Sequence, residues 1–241
     1  MDRLKDKIVL ITGAAGAVGG AAAEAVEAEG GIPITTDLAG RHGVTHVLDV
    51  TSEADWLRVM ADIGRTHDRL DGLVNAAGLA VLGNIEKTDY ATWRQILAVN
   101  LDGTFLGCKY AMSLLKRRGG SIVNLSSVAG LVGGHNFAAY NASKGGVRLL
   151  SKSVALHGAR LNPKVRCNSI HPAFLEGPMV DTILNQTEVP DTAREIMKRE
   201  IPIGRFGTPA EVASFCVYLL SDESRFVTGA ELAIDGGLTA R

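Results

Sequence analysis

Short, almost wholly apolar runs alternate along this chain with longer stretches whose apolar residues recur at helical spacing, and few folds accept that pattern. "KIVLIT" (7–12), "IPITT" (32–36), "THVLDV" (45–50), "GLVNAA" (72–77), "SIVNLSS" (121–127), "VRCNSI" (165–170) and "ELAID" (231–235) read as strands. A strand apolar on both faces must be covered on both faces, as parallel strands in α/β proteins are. Helices predicted over 19–30, 52–64, 90–118, 138–160 and 209–221 supply that cover. Right-handed crossovers then give an α/β fold, a doubly wound parallel sheet with helices on both faces. At 241 residues, without repeat, low-complexity tract or linker, the chain is expected to form a single domain over 1–241. The least regular stretch, about 173–205, carries Pro178, Pro190 and Pro202 and reads as a mobile insertion after a strand end. Ligands of such sheets bind beyond the carboxyl ends of the strands.

Composition narrows the function classes. Hydrophobic content of 46% argues for a packed core, and a net charge of −1 gives no electrostatic case for nucleic acid or anionic membrane. No apolar run approaches the about 20 residues of a membrane span. The start, "MDRLKDKIVLITG", has neither the length nor the cleavage pattern of a signal peptide, so a cytoplasmic location is expected. Cys108, Cys167 and Cys216 stand apart in sequence without metal-ligand spacing, which predicts no metal and reduced, buried thiols.

"ITGAAGAVGG" (11–20) follows the first strand and opens an alanine-rich helix. Glycines there permit a tight turn and close backbone approach, and free N–H groups at the helix start suit a pyrophosphate. The same glycines would also serve a turn that only packs strand on helix. Asp37 ends the second strand about 20 residues on, where an acid can accept from both hydroxyls of an adenosine ribose. Elsewhere an Asp at a strand end is a common turn former. Asp49 is a similar, weaker case, with Thr51 or Ser52 capping the next helix.

Tyr140 and Lys144 stand at i and i+4, so a helix sets them side by side. A free tyrosine, with pKa about 10, is a poor base near neutrality, and an adjacent ammonium favours its phenolate. Such a pair can pass a proton to or from a carbinol oxygen, with Ser127 donating to the same oxygen. By itself YxxxK fits equally an exposed helix pair. His135, between Ser127 and Tyr140, either bonds a second substrate oxygen or is simply solvated. Phe137, Met179, Val180, Ile183 and Leu184 would line an apolar pocket or pack the core.

Taken together these stretches resemble the short-chain dehydrogenase/reductase family over essentially the whole chain. Thr12-Gly13-Ala14-Ala15-Gly16-Ala17-Val18-Gly19 fits that family's T-G-x-x-x-[A/G]-x-G, so Ala17 stands where Ala or Gly is accepted. The N-N-A-G turn is Asn75-Ala76-Ala77-Gly78, the family asparagine is Asn100, and Ser127 precedes the Y-x-x-x-K of Tyr140 and Lys144 at the family's spacing. The resemblance implies a Rossmann-like fold and NAD as cofactor. It makes Tyr140 the acid/base, Ser127 the orienting donor, Lys144 the ribose contact and Asn100 the holder of a relay water. It further implies cofactor contacts at Gly13, Gly16, Ala17, Val18, Asp37, Asp49, Val50, Asn75, Ala76, Gly78, Tyr140, Lys144, Pro172 and Leu175. Ser127, His135 and Tyr140 are the expected substrate contacts, and 173–205 the substrate-loop region. The segment Pro172-Ala173-Phe174-Leu175-Glu176-Gly177 departs from P-G-x-x-x-T, and Gly177 lacks the hydroxyl that helps hold the carboxamide in relatives.

The reading is an NAD-dependent dehydrogenase/reductase of hydrophobic secondary alcohols, of the cyclic alcohol or hydroxysteroid class, and a homotetramer pairing the helices around 90–116 and 138–160. Reduction of a 3-oxoacyl thioester is the alternative enzyme reading, against which Asp37 argues because biosynthetic reduction more often uses the phosphorylated cofactor. From another class, a non-catalytic NAD(H) sensor would be expected to lose Tyr140 or Lys144, and both remain.

Overall fold

Seven parallel strands form one sheet in the order β3-β2-β1-β4-β5-β6-β7 in a computed structural model that describes residues 2–41 and 43–240. The strands are β1 (Ile8–Thr12), β2 (Ile32–Asp37), β3 (His46–Val47), β4 (Gly72–Asn75), β5 (Gly120–Leu125), β6 (Val165–Pro172) and β7 (Glu231–Ile234). The helices are α1 (Ala17–Ala28), α2 (Glu53–His67), α3 (Tyr90–Leu97), α4 (Gly103–Leu115), α5 (Ala138–Gly158), α6 (Pro178–Leu184), α7 (Pro190–Glu200) and α8 (Pro209–Leu220). Strand order reverses between β1 and β4, which opens a crevice at their carboxyl ends.

The period-2 geometry of a strand explains why each apolar run feeds two cores. Ile8 and Leu10 join Leu73, Ile122 and Cys167 under Trp56, Ile63, Leu114 and Leu115 of α2 and α4. Val9 and Ile11 face the other way, with Val74, Val123 and Ile170, against Ala22 and Val26 of α1 and Val212, Cys216 and Val217 of α8. All three cysteines are free and buried.

Two local features differ from the sequence reading. The helix expected over 90–118 is broken by a π-helical turn at Ala98–Asp102, which sets Asn100 into the interior. The third strand pairs over only two residues, so Asp49 lies in the turn beyond it, its carboxylate accepting from the Thr51 N–H and hydroxyl. Ser52, rather than Thr51, caps α2.

The stretch 173–205, read as the least regular of the chain, holds α6 and α7 over a small core of Val180, Leu184, Ile201 and Phe206. Pro178 and Pro190 stand in the first helical turns, where a missing N–H costs nothing and the fixed φ suits the helix. They start helices there and do not break them. Of the residues read as pocket or core, Val180 and Leu184 pack this small core, whereas Met179 is exposed.

Candidate active site

Every candidate motif falls at the carboxyl end of the sheet. Gly13 takes φ +67°, and a Cβ there would lie 2.7 Å from the Ala77 Cα, so both conformation and contact demand glycine. The Thr12 hydroxyl accepts from the Ala76 and Ala77 N–H groups and so locks the 12–13 turn to the Asn75-Ala76-Ala77-Gly78 turn. Ala17 and Val18 belong to the first turn of α1, whose start at Gly16 has no side-chain cap and no acidic residue. Its N–H groups are therefore left for a ligand or water, and the helix dipole there is uncompensated. That arrangement fits a nucleotide pyrophosphate.

Asp37 ends β2 beside this loop. Its Oδ2 accepts from the Ala15 N–H at 3.0 Å and its Oδ1 from the Leu38 N–H at 2.8 Å. Each carboxylate oxygen keeps a further acceptor site. Asp49 and Val50 follow the neighbouring β3, with Val50 buried beneath Gly103 and its carbonyl accepting from the Trp56 indole.

Gly78 forms the wall between two expected catalytic groups. A Cβ on Gly78 would stand 3.3 Å from Asn100 Oδ1 and 3.6 Å from Lys144 Nζ. Asn100 is fully buried, and its side chain is committed. Oδ1 accepts from the Leu79 N–H, and Nδ2 donates to the Leu79 carbonyl and to Ser143 Oγ. Both amide hydrogens are thereby used, and Oδ1 keeps one further acceptor site.

Ser127 lies just past β5, starting a short 3₁₀ turn (Val128–Gly130), its Oγ accepting from the Ala129 N–H. Its hydroxyl donates to the Pro172 carbonyl at 3.4 Å, a long bond that is readily exchanged. It also acts on the Tyr140 hydroxyl, favouring its ionised form. Tyr140 and Lys144 share one face of α5, with Lys144 Nζ 5.7 Å from the Tyr140 ring centroid and donating to the Leu125 carbonyl at 2.7 Å. Burial raises the Tyr140 pKa, against the opposing pull of Ser127, and lowers that of Lys144 to about 8. Desolvation, rather than the neighbouring ammonium, therefore sets the direction of the Tyr140 shift.

Phe137 packs against Tyr140 with ring centroids 6.1 Å apart, whereas His135 is exposed on the preceding loop. Leu175 bridges to Gly207. Gly177 adopts φ +136° at the start of α6 with Ala17 3.4 Å from a would-be Cβ, so a threonine there would be strained.

Several residues that sequence reasoning passed over hold the site together. Asn141, next to Tyr140, donates to the Ala129 and Val132 carbonyls and accepts from the Gly134 N–H, pinning the His135 loop. Arg194 of α7 pairs with Glu176 at 2.9 Å and Asp181 at 2.5 Å, tying α7 to the turn after Leu175. Buried His171 bonds the Ser127 carbonyl. A histidine inside an apolar strand run was the available signal for the last; the others need the fold. Two thiols distant in sequence also meet, Cys108 and Cys167 both contacting the Asn124 side chain. Among the described residues no helix is long and apolar enough to cross a membrane, and no cluster of His, Cys, Asp or Glu could hold a metal ion.

Comparison with known proteins extends this picture to the whole chain. Residues 13–239 match the family described as enoyl-(acyl carrier protein) reductase. An NADP-dependent (R)-specific alcohol dehydrogenase of Lentilactobacillus kefiri is 38% identical, covering 100% of this chain and 99% of the relative. Cyclopentanol dehydrogenase of a Comamonas species is 37% identical, covering 100% of each. The ligand-free aldohexose dehydrogenase of Thermoplasma acidophilum superposes with a TM-score of 0.92 at 34% identity, over 100% of this chain and 96% of that one. With its motifs gathered at one sheet edge and full-length relatives on every side, the chain belongs to the short-chain dehydrogenase/reductase family, an oxidoreductase family that uses a nicotinamide cofactor.

Proposed function

We propose that this protein is an NAD-dependent dehydrogenase/ketone reductase of hydrophobic secondary alcohols, of the cyclic alcohol or hydroxysteroid class. The observation that carries the reading is the meeting of Ser127, Tyr140 and Lys144 beside an uncapped, glycine-lined helix start. Gly13, Gly16, Ala17 and Val18 would cradle the cofactor's pyrophosphate, Asp37 its adenosine ribose, Asp49 and Val50 its adenine end. Asn75, Ala76, Gly78, Lys144, Pro172 and Leu175 would border its nicotinamide half. When bound, the nicotinamide exchanges a hydride with the carbinol carbon.

The remaining chemistry is the chain's own. Ser127 gives up its long bond to the Pro172 carbonyl and donates to the substrate oxygen. Tyr140 supplies the proton in reduction and removes it in oxidation. With its pKa raised by burial, Tyr140 is the protonated acid at neutral pH, ready for ketone reduction. Lys144, with a pKa of about 8, carries its charge below that pH and loses it above. Loss of that charge removes what favours the phenolate, so alcohol oxidation is expected to rise from neutrality and level off past about 8, whereas ketone reduction, which needs protonated Tyr140, is expected to hold; paired pH–rate profiles check this.

Asp37 supports NAD over NADP, although one relative is NADP-dependent. A 2′-phosphate would set an anion against a carboxylate already fixed to the loop at Ala15. Unit charges about 4 Å apart interact by about 4 kcal/mol at an effective dielectric near 20. Arg41, on the exposed turn after β2, would offset part of that but cannot remove the carboxylate. The test is kcat/KM with each cofactor. NAD⁺ is expected to exceed NADP⁺ by at least about tenfold, and Asp37→Ala to narrow the gap by weakening NAD⁺. Parity or an NADP⁺ preference in the wild type removes Asp37 from the ribose.

His135 and Phe137, with Met179 of the 173–205 substrate loop, are the proposed substrate wall. Exposed Phe105 on α4 and Leu149 and Leu156 on α5 support a homotetramer paired through these helices, which sedimentation analysis would test. A relative named as a 3-oxoacyl-[acyl-carrier-protein] reductase favours a second reading, 3-oxoacyl-thioester reduction. Inclusion of a 3-oxoacyl thioester among the test substrates separates the two.

A further inference from the structure

His171 is wholly buried on β6, and the reaction described above gives it no part. Its Nδ1 lies 3.0 Å from the Ser127 carbonyl oxygen and its Nε2 2.8 Å from the Ser169 hydroxyl. A carbonyl oxygen only accepts, so Nδ1 carries the proton and Nε2 accepts from Ser169 Oγ. Ser169 Oγ also has the Ala230 carbonyl at 3.5 Å, a poorer acceptor position than the ring nitrogen. The ring is thus a neutral imidazole in one tautomer with both nitrogens engaged. Burial keeps its pKa low, against the opposing influence of the Ser127 carbonyl and of Glu231 on β7. Arg148 and Lys144 on α5 act in the same direction as burial.

Ser127 is held from β6 at two adjacent residues. Its carbonyl takes the His171 Nδ1–H together with the Gly130 N–H at 2.9 Å. Its hydroxyl rests against the Pro172 carbonyl. Between these anchors the Ser127 backbone is almost fully extended, with φ −169° and ψ 163°, before the chain turns into the 3₁₀ segment. Where the hydroxyl stands relative to Tyr140 depends on how that peptide is rotated, and the ring fixes the rotation from below. Placement of a catalytic hydroxyl matters steeply, since a misplacement of about 1 Å costs on the order of 100-fold in rate.

We infer that His171 is a positioning residue for Ser127: its Nδ1–H, oriented by Ser169, aims the Ser127 peptide so that the hydroxyl meets the substrate oxygen and Tyr140. The inference rests on the roles proposed above for Ser127 and Tyr140. It predicts that an amide able to replace Nδ1 rescues turnover while one placed at Nε2 does not. Asn sets its side-chain N–H near the Nδ1 position and Gln sets it near Nε2.

The experiment compares H171N, H171Q, H171L and S127A, and the double variant S127A/H171Q, in the intact holoenzyme with NAD⁺ and a turned-over alcohol. H171Q and H171L are expected to lose kcat about tenfold or more with KM for NAD⁺ unchanged, and H171N to stay within about threefold of wild type. In the S127A background, H171Q is expected to cost no further kcat, because the two residues act as a unit. If H171L fails to fold, the Asn–Gln pair decides. Equal kcat in H171N and H171Q, or full additivity with S127A, would overturn the inference and leave His171 as packing. Undiminished turnover in Y140F would instead sink the underlying reading, whatever the His171 variants do.

Discussion

The two walls of the candidate active site are built differently. On one side, Asn100, Ser127, Tyr140 and Lys144 stand on the π-helical turn, just past β5 and on α5, over cores formed by the central sheet. Their polar atoms are tied to backbone groups, as in the bonds of Lys144 to Leu125, Asn100 to Leu79 and Ser127 to Ala129. On the other side, α6 and α7 rest on a separate, small core at Phe206 and on partly exposed Arg194 ion pairs. Exposed pairs of that kind contribute at most about 1 kcal/mol each. The contrast predicts that the side holding Tyr140 shares the stability of the whole sheet, and that α6 and α7, on their own small core, open at lower cost.

Breaking the first wall should have the largest effect. Tyr140→Phe removes the proton carrier without removing bulk, and kcat is expected to drop at least about 100-fold with little change in NADH affinity. Near-normal turnover would strip Tyr140 of its role. Breaking the second wall should look different. Phe206→Ala empties the small core, where large-to-small changes cost about 3–5 kcal/mol. Amide exchange is expected to accelerate in α6 and α7 and KM for the alcohol to rise, while β4 and β5 keep their protection; uniform acceleration across the sheet would show the walls to be one cooperative unit. The smallest effect belongs to exposed His135. His135→Ala should raise KM for some alcohols by a few-fold and leave NAD⁺ affinity alone, and unchanged kinetics over all of them would mark the residue as solvated.

The same contrast explains how much could be read from the chain. Apolar strand runs and i, i+4 spacing are local signals, so the sheet, the glycine loop and the Tyr140–Lys144 pair were legible directly. The π-helical turn at Asn100 depends on neighbours the sequence does not order. Pro178 and Pro190 looked like breaks because proline ends helices, yet in a first turn it starts them. The partnership of His171 with Ser127 joins residues far apart in sequence through the β5–β6 pairing. The effect of burial on Tyr140 and Lys144 could not be weighed before their surroundings were known.

The central claim is that the Ser127–Tyr140–Lys144 wall turns over secondary alcohols with NAD. It is tested most directly by following NADH formation when the wild-type protein meets a panel of cyclic, steroidal and open-chain secondary alcohols, with the matching ketones run in reverse. Turnover of at least one hydrophobic member with NAD⁺, lost in Tyr140→Phe, is the predicted result. Tight NADH binding with no turnover of any alcohol or ketone would contradict the account and leave a nucleotide-binding protein without chemistry.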